Sequence, residues 1–408
     1  MLTSVWRDVK YLYTGGYRIT SIHRVIGEWC FDEVRTLQGP MCFLTGPRQV
    51  GKTFLEKTLS ASYFNFDTVE VKKALLADPY FFRGSGDLVV LDEIHKRRDW
   101  TKLLKGYYDS PERRENFIVT GSGRFDFFRK SGDSLQGRYL VNQLWPLSYD
   151  EVCNHRPKLV APRNFTQWEP STTAENDDVL LRLGGFPQPF LRGSEQFMRR
   201  WQEQYRDRLV KEDVRDFANI QRVDQLELLT RILPERLCSP LSIKGLAEDV
   251  EVSPVAIKSW LRLLEQLYFG FLVAPYHRKL QRAVKREKKW YFYQWTYAQD
   301  EAARLENYMA VQLALACSAW SEQGFGKWEL YYLRDQDRRE VDFLIAKDLK
   351  PVALVEVKSS SPEPTSALRY YSHKLNVPGF LITRDGGPSK YETNIWSMGS
   401  RYFLKGLH

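Results

Sequence analysis

Cysteine is scarce in the 408-residue sequence: there are five, Cys30, Cys42, Cys153, Cys238 and Cys317, and none forms a CxxC pair. The six histidines are equally scattered, without HExxH spacing. Both observations argue against a disulfide framework and a structural zinc site, and point to free thiols in a reducing cytoplasm. Twenty-five glycines and 19 prolines are too few for a low-complexity or collagen-like chain. No stretch approaches the roughly 20 consecutive apolar residues of a membrane helix, so no membrane association is expected. The opening MLTSVWRDVKYLYTGGYR has no apolar core of the kind a secretory signal carries.

What is present is ordinary globular composition, 43% hydrophobic, 27% charged and 14% aromatic, enough for two or three cores. Sixty Lys and Arg against 51 Asp and Glu leave a net charge of +9, compatible with nucleic-acid contact without establishing it.

No repeat at a period of 20–50 residues is visible, but the pattern changes along the chain. Residues 1–40 read as a helical preamble ending at Gly39-Pro40. Residues 41–145 alternate short apolar runs (MCFLTG, DLVVLDE, NFIVTGS, YLVNQL) with amphipathic stretches, an α/β signature. Residues 146–225 are polar and mostly helical, with a Pro-rich loop around Arg156–Ser171. Residues 226–289 hold a compact helical module and a basic run. From 290 to 408 helix and strand alternate again.

The strand Met41–Thr45 runs into Gly46-Pro47-Arg48-Gln49-Val50-Gly51-Lys52-Thr53, a GxxxxGK[ST] loop followed by the helix-forming FLEKTLSA. Glycines let successive backbone N–H groups turn onto phosphate oxygens at a helix N-terminus, where the dipole favours anions. Lys52 would reach the terminal phosphates of ATP, and the Thr53 hydroxyl would ligate Mg2+. Forty residues on, the apolar strand ending at Leu91 terminates in Asp92 and Glu93. The first acid would hold the Mg2+ shell and the second would polarise the attacking water.

Together GPRQVGKT, LVVLDEIHK, FIVTGSGR and SLQGR resemble the AAA+ ATPases, above all the prokaryotic group with a nuclease-like C-terminal domain. The resemblance runs from about Gly46 to Thr383. It implies that Thr120 or Ser122 senses the γ-phosphate. It implies too that Arg138, closing SLQGR, enters a neighbouring subunit's nucleotide, hence a homo-oligomer or ring. Gly184-Gly185-Phe186-Pro187 is similar to a lid motif whose proline packs near the base; a plain loop reads equally well.

Ser239–Pro254 followed by VAIKSWLRLLEQLYFGFLV reads as two short helices and a β-prone run, with Ser253 an N-cap and Pro254 in the first turn. Ile243, Leu246, Ala247 and Val250 form one expected apolar face, and Val255, Trp260, Leu263, Leu264 and Leu267 the next. The arrangement resembles a winged helix, for DNA binding or for packing alone. His277–Lys289 carries seven Lys or Arg against one Glu. It reads as a basic wing for phosphate backbone or as a solvated hairpin.

In the C-terminal region Glu306 sits on a predicted helix, Asp342 in EVDFLIA, and Glu356 and Lys358 close VALVEVK. Strand alternation puts Glu356 and Lys358 on one side, and a hairpin would bring Asp342 to them. Two carboxylates beside a lysine are a hard-oxygen site for Mg2+ that activates water. Order and spacing resemble the PD-(D/E)xK nucleases, which implies catalytic Glu306, Asp342, Glu356 and Lys358 with metal at Asp342 and Glu356. Val341 stands at the position of the motif's proline, which many members lack. The expected fold is α/β: a parallel-sheet P-loop ATPase domain, a winged-helix module, and an αβββαβ restriction-endonuclease-like domain acting on DNA. The alternative is a nucleotide-controlled switch that binds DNA or protein without cutting.

Overall fold

A computed structural model of the chain describes residues 39–59, 62–121, 135–153, 165, 170–214, 222–277, 287–359 and 363–407. The expected preamble, Ser122, most of the Arg156–Ser171 loop and the tip of the basic run fall outside these residues. The chain divides into two compact units, residues 1–145 and 146–408.

The first unit is built on β1 (Met41–Thr45), β2 (Ser62–Asn65), β3 (Leu88–Asp92), β4 (Asn116–Thr120) and β5 (Tyr139–Gln143). They form one sheet of order β2-β3-β4-β1-β5, in which every neighbouring pair is parallel. β1 and β4 are buried at every position, which explains their unbroken apolar runs: a parallel strand covered on both faces has no solvent side to alternate with. The helix Trp100–Asp109 buries Trp100, Leu104 and Tyr107 at helical spacing. These join Phe43, Phe82, Leu91 and Phe117 in the core of this unit.

The second unit carries an eight-stranded mixed sheet of order β12-β13-β11-β10-β9-β8-β6-β7. Its strands are β6 (Gly270–Pro275), β7 (Lys289–Phe292), β8 (Trp328–Arg334), β9 (Glu340–Lys347), β10 (Lys350–Val357), β11 (Gly379–Thr383), β12 (Ser389–Glu392) and β13 (Ile395–Gly399). The long helix Glu301–Glu322, capped by the Asp300 carboxylate accepting from Ala303 N–H at 2.8 Å, packs on β7 to β10. The helix Ser366–Leu375 packs on β9 to β11. Among the described residues no helix is long and apolar enough to cross a membrane.

Helices Val223–Ile232, Ile243–Asp249 and Pro254–Gln266 precede the antiparallel hairpin β6–β7. Ser242 and Ser253 cap the last two helices, accepting from Gly245 and Ala256 N–H at 3.1 and 3.2 Å. The expected inward position of Val255 is wrong: it is 75% exposed, and Ile257, fully buried, takes its place. The physical reason is phase. Ile257, Trp260, Leu261 and Leu264 share one helical face, and Val255, two residues before Ile257, lies across the axis. The hairpin also enters the C-terminal sheet, where β6 pairs in parallel with β8 at Ala274–Tyr331. The sheet therefore runs across the 289/290 boundary.

Candidate functional site

In the first unit, sheet register assembles the site. Asp92 at the tip of β3 is level with Thr120 at the tip of β4, and Thr120 is level with Leu44, just before the phosphate loop. Loop and acids therefore occupy the same carboxyl edge of a parallel sheet, where open α/β folds bind ligands. The loop backbone is tightly determined. Gly46 has φ +139°, and a Cβ there would lie 2.2 Å from the Leu144 carbonyl oxygen. Val50 is fully buried, and Lys52, 8% exposed, donates from Nζ to the Gly46 and Pro47 carbonyls at 2.7 and 2.8 Å. Arg48, Gln49 and Gly51 complete the turn, Gln49 in a left-handed conformation. Thr53 is exposed at the start of the helix Lys52–Leu59.

Asp92 is buried and held from both sides: the Tyr63 hydroxyl donates to Oδ2 and the Thr120 hydroxyl to Oδ1, each at 2.5 Å. Thr120, one of two expected phosphate sensors, thus donates to the Asp92 carboxylate; the other, Ser122, lies outside the described residues. Glu93 follows in a left-handed conformation with φ 56°, its N–H bonded to the Thr120 carbonyl at 3.1 Å. Its carboxylate faces His95 at 3.4 Å and Lys96 at 3.7 Å. Burial raises the Glu93 pKa against the opposing pull of Lys96, the direction a general base requires. Lys96 also pairs with Asp67. Burial lowers His95 to about 3, so it is neutral at physiological pH. The donors at hand, a threonine hydroxyl and a carboxylate, are hard oxygens and fit Mg2+.

Arg138 is not part of this edge. It immediately precedes β5, whose Tyr139 is level with Met41 at the start of β1, so five residues of strand, about 15 Å, separate it from its own phosphate loop. It makes a two-pronged ion pair with Asp109, at 2.8 and 3.0 Å.

Pro187, in the second unit, opens the helix Pro187–Arg192. The glycines before it serve packing. A Cβ on Gly184 would meet the Gln294 side chain at 2.1 Å, and one on Gly185 the Trp295 ring at 2.7 Å.

The carboxylates of the second unit do converge. β9 and β10 pair antiparallel, with Val355 opposite Phe343, and the Val357 N–H donates to Asp342 Oδ2 at 2.9 Å. Glu356 is 3% exposed, accepts from the Thr365 hydroxyl at 2.8 Å and faces Lys358 at 3.5 Å. Burial raises its pKa, countered by the Thr365 bond. Glu306 accepts from the Tyr291 hydroxyl at 2.7 Å. Burial, then the nearby Asp342 charge, push it up to about 7.

Of the expected Mg2+ pair, Asp342 and Glu356, Asp342 already faces a cation. Among Glu306, Glu340 and Asp342 stands the ammonium of Lys289, at 3.4, 2.7 and 3.6 Å. Burial alone would lower its pKa; Glu306, Asp342 and Glu340 outweigh that and raise it. Lys289 closes the run read as a basic wing or a solvated hairpin, yet its side chain is 0% exposed. Among the described residues no group of three or more His, Cys, Asp or Glu is arranged to hold a metal ion. Sequence reasoning also missed Tyr63, Lys96, Tyr291 and Glu340. Glu340, two residues before Asp342 and on the same strand side, was the one with a visible signal.

Residues 38–153 match a family model described as an AAA domain. Two further models, both described as domains of unknown function (DUF8612 and DUF4143), match residues 176–295 and 303–398. An uncharacterized protein of Methanocaldococcus jannaschii is 22% identical over 353 residues, covering 79% of this chain and 76% of that protein. An uncharacterized protein of Mycobacterium tuberculosis is 22% identical over 368 residues, covering 86% and 77%. Sheet, phosphate loop and family match agree: the N-terminal part of this chain is an AAA-type nucleotide-binding domain.

Proposed function

We propose that the chain hydrolyses ATP with Mg2+ and uses the nucleotide cycle to control a DNA-binding C-terminal region. The observation that carries the ATPase reading is the edge of the first sheet, with Lys52 in the loop turn, Asp92 clamped by two hydroxyls, and Glu93 beside it with a raised pKa. Thr53 and Asp92 would hold Mg2+, which neutralises charge on the phosphates. Lys52 would bind the β- and γ-phosphates, and Glu93 would take the proton of the attacking water. Arg138 is proposed to act in trans in a homo-oligomer, because its distance from its own loop leaves it no role there; its pair with Asp109 would have to open. ATP turnover by the parent, lost with nucleotide binding in Lys52→Ala, is the expected result. Absence of ATP uptake and phosphate release under all conditions would overturn the reading.

For the C-terminal region, the three capped or packed helices followed by a hairpin support a winged helix, with Val255, Lys258, Ser259 and Arg262 on the exposed face. The order of elements around Glu306, Asp342, Glu356 and Lys358 supports a PD-(D/E)xK-like fold. Of the two roles, binding without cleavage is favoured by Lys289, which faces Asp342, one of the two carboxylates that a cutting site would offer to metal. Salt-dependent binding of duplex, forked and four-way DNA, with and without ATP and Mg2+, tests this. DNA-stimulated turnover without nicking is the expected outcome, and Mg2+-dependent nicking lost in Asp342→Asn would restore the nuclease. A cytoplasmic location belongs to the same proposal.

A further inference from the structure

The disagreement between the expected metal and the observed ammonium has a structural basis that extends beyond one ion pair. Lys289 Nζ is 2.7 Å from Glu340 Oε1, 3.4 Å from Glu306 Oε1 and 3.6 Å from Asp342 Oδ1. It lies 5.5 Å from the centre of the Tyr332 ring. Each of the three carboxylates has a further partner. Glu306 Oε1 also takes the Tyr291 hydroxyl, Asp342 Oδ2 the Val357 N–H, and Glu340 Oε2 faces Arg334 at 3.5 Å.

A divalent cation held by Asp342 and Glu356 would take Asp342 Oδ1, which faces the Lys289 ammonium at 3.6 Å, and Glu356 Oε1, which faces Lys358 at 3.5 Å, and would meet a like charge beside each. Nor is Lys289 placed to swing away. It is the first residue of β7, its backbone bridges Pro240, and Trp290, Tyr291 and Phe292 after it are fully buried. The Tyr332 hydroxyl ties down Glu287 just before it, donating to its carbonyl at 2.6 Å.

We propose that Lys289 is the resident cation of the Glu306–Glu340–Asp342 cluster, so that these carboxylates take up no divalent metal unless the ammonium is removed. The cluster thereby joins the hairpin strand β7, the long helix and β9 through one buried charge, in place of an exchangeable ion. This rests on the nuclease-like reading of the carboxylates and is independent of ATP hydrolysis and of DNA binding.

The test counts bound Mn2+ by electron paramagnetic resonance on the full chain without nucleotide. The parent is expected to hold no Mn2+ that depends on Asp342. Lys289→Met is expected to gain one Mn2+ per chain and to lose it in Lys289→Met/Asp342→Asn. Near-ultraviolet circular dichroism monitors folding. If Lys289→Met does not fold, Lys289→Gln, which keeps a hydrogen-bond donor, carries the same expectation. A stoichiometric Mn2+ in the parent that Asp342→Asn removes overturns the proposal, as does a folded Lys289 variant that gains none. Neither result touches the DNA-binding measurement, which is read separately.

Discussion

Removing the Thr120 hydroxyl should loosen the nucleotide site at its most constrained point. Thr120 is fully buried, and its Oγ1 donates at 2.5 Å to a carboxylate that is itself 5% exposed. Thr120→Val keeps the shape and deletes the donor, leaving Asp92 with the Tyr63 hydroxyl as its remaining side-chain donor from this pair. A hydrogen bond to a charged group contributes about 2 kcal/mol. At a urea slope of about 2 kcal/mol per M, the unfolding midpoint should fall by about 1 M. The relevant transition is the one that added ATP shifts upward, since a ligand stabilises only the unit it binds. Tyr63→Phe should do the same to a smaller extent, because Tyr63 is half-buried and water can replace its hydroxyl. The double variant should lose more than the two single losses combined, since only then does the buried carboxylate lack both donors. An unchanged midpoint in Thr120→Val would refute the clamp, and with it the account of how Asp92 is held.

Three further outcomes are expected. Gly46→Ala forces a Cβ to within 2.2 Å of a backbone carbonyl at φ +139°; it should cost about 3 kcal/mol or more and abolish ATP binding, measured by calorimetric titration. Glu93→Gln should retain ATP but turn it over on the order of 100-fold more slowly, and turnover equal to the parent would remove Glu93 from its role. For Glu306, the folded pKa is raised from an ordinary 4.5 to about 7. The folded state therefore binds more protons than the unfolded state between those values, and stability falls as pH rises through that window. Glu306→Gln should gain stability relative to the parent from pH 4.5 upward and level off above 7. A stability difference that stays flat across that range would sink the assignment.

The phosphate loop was legible because its chemistry is local: eight consecutive residues between a strand and a helix carry the whole signal. Asp92 and Glu93 were legible for a similar reason, as acids ending an apolar run. Thr120 was legible as a strand-tip residue, but its partner was not, because β3 and β4 are 23 residues apart between Asp92 and Asn116 and their register is a property of the folded sheet. Tyr63 had no signal at all, since nothing in SYFN says which strand lies beside β2. The Val255 error is confined to one residue, since Trp260, Leu263, Leu264 and Leu267 of the expected face are buried and only the position two residues before Ile257 was misplaced.

Lys289 marks the limit most clearly. In the sequence it is the last of seven positive charges in a run of thirteen, and the run reads as a basic wing or a solvated hairpin, exposed in either case. Only when β7 pairs with β6, and the helix Glu301–Glu322 packs on it, does that one side chain turn inward among three carboxylates from two other elements. By itself, then, the order of residues determined the kinds of element, the phosphate loop and the acids at strand tips, because each follows from neighbours within a few positions. Which donors hold those acids, and which cation stands among the C-terminal carboxylates, was decided by tertiary structure, because the energy of a buried charge depends on groups that sequence separation does not reveal.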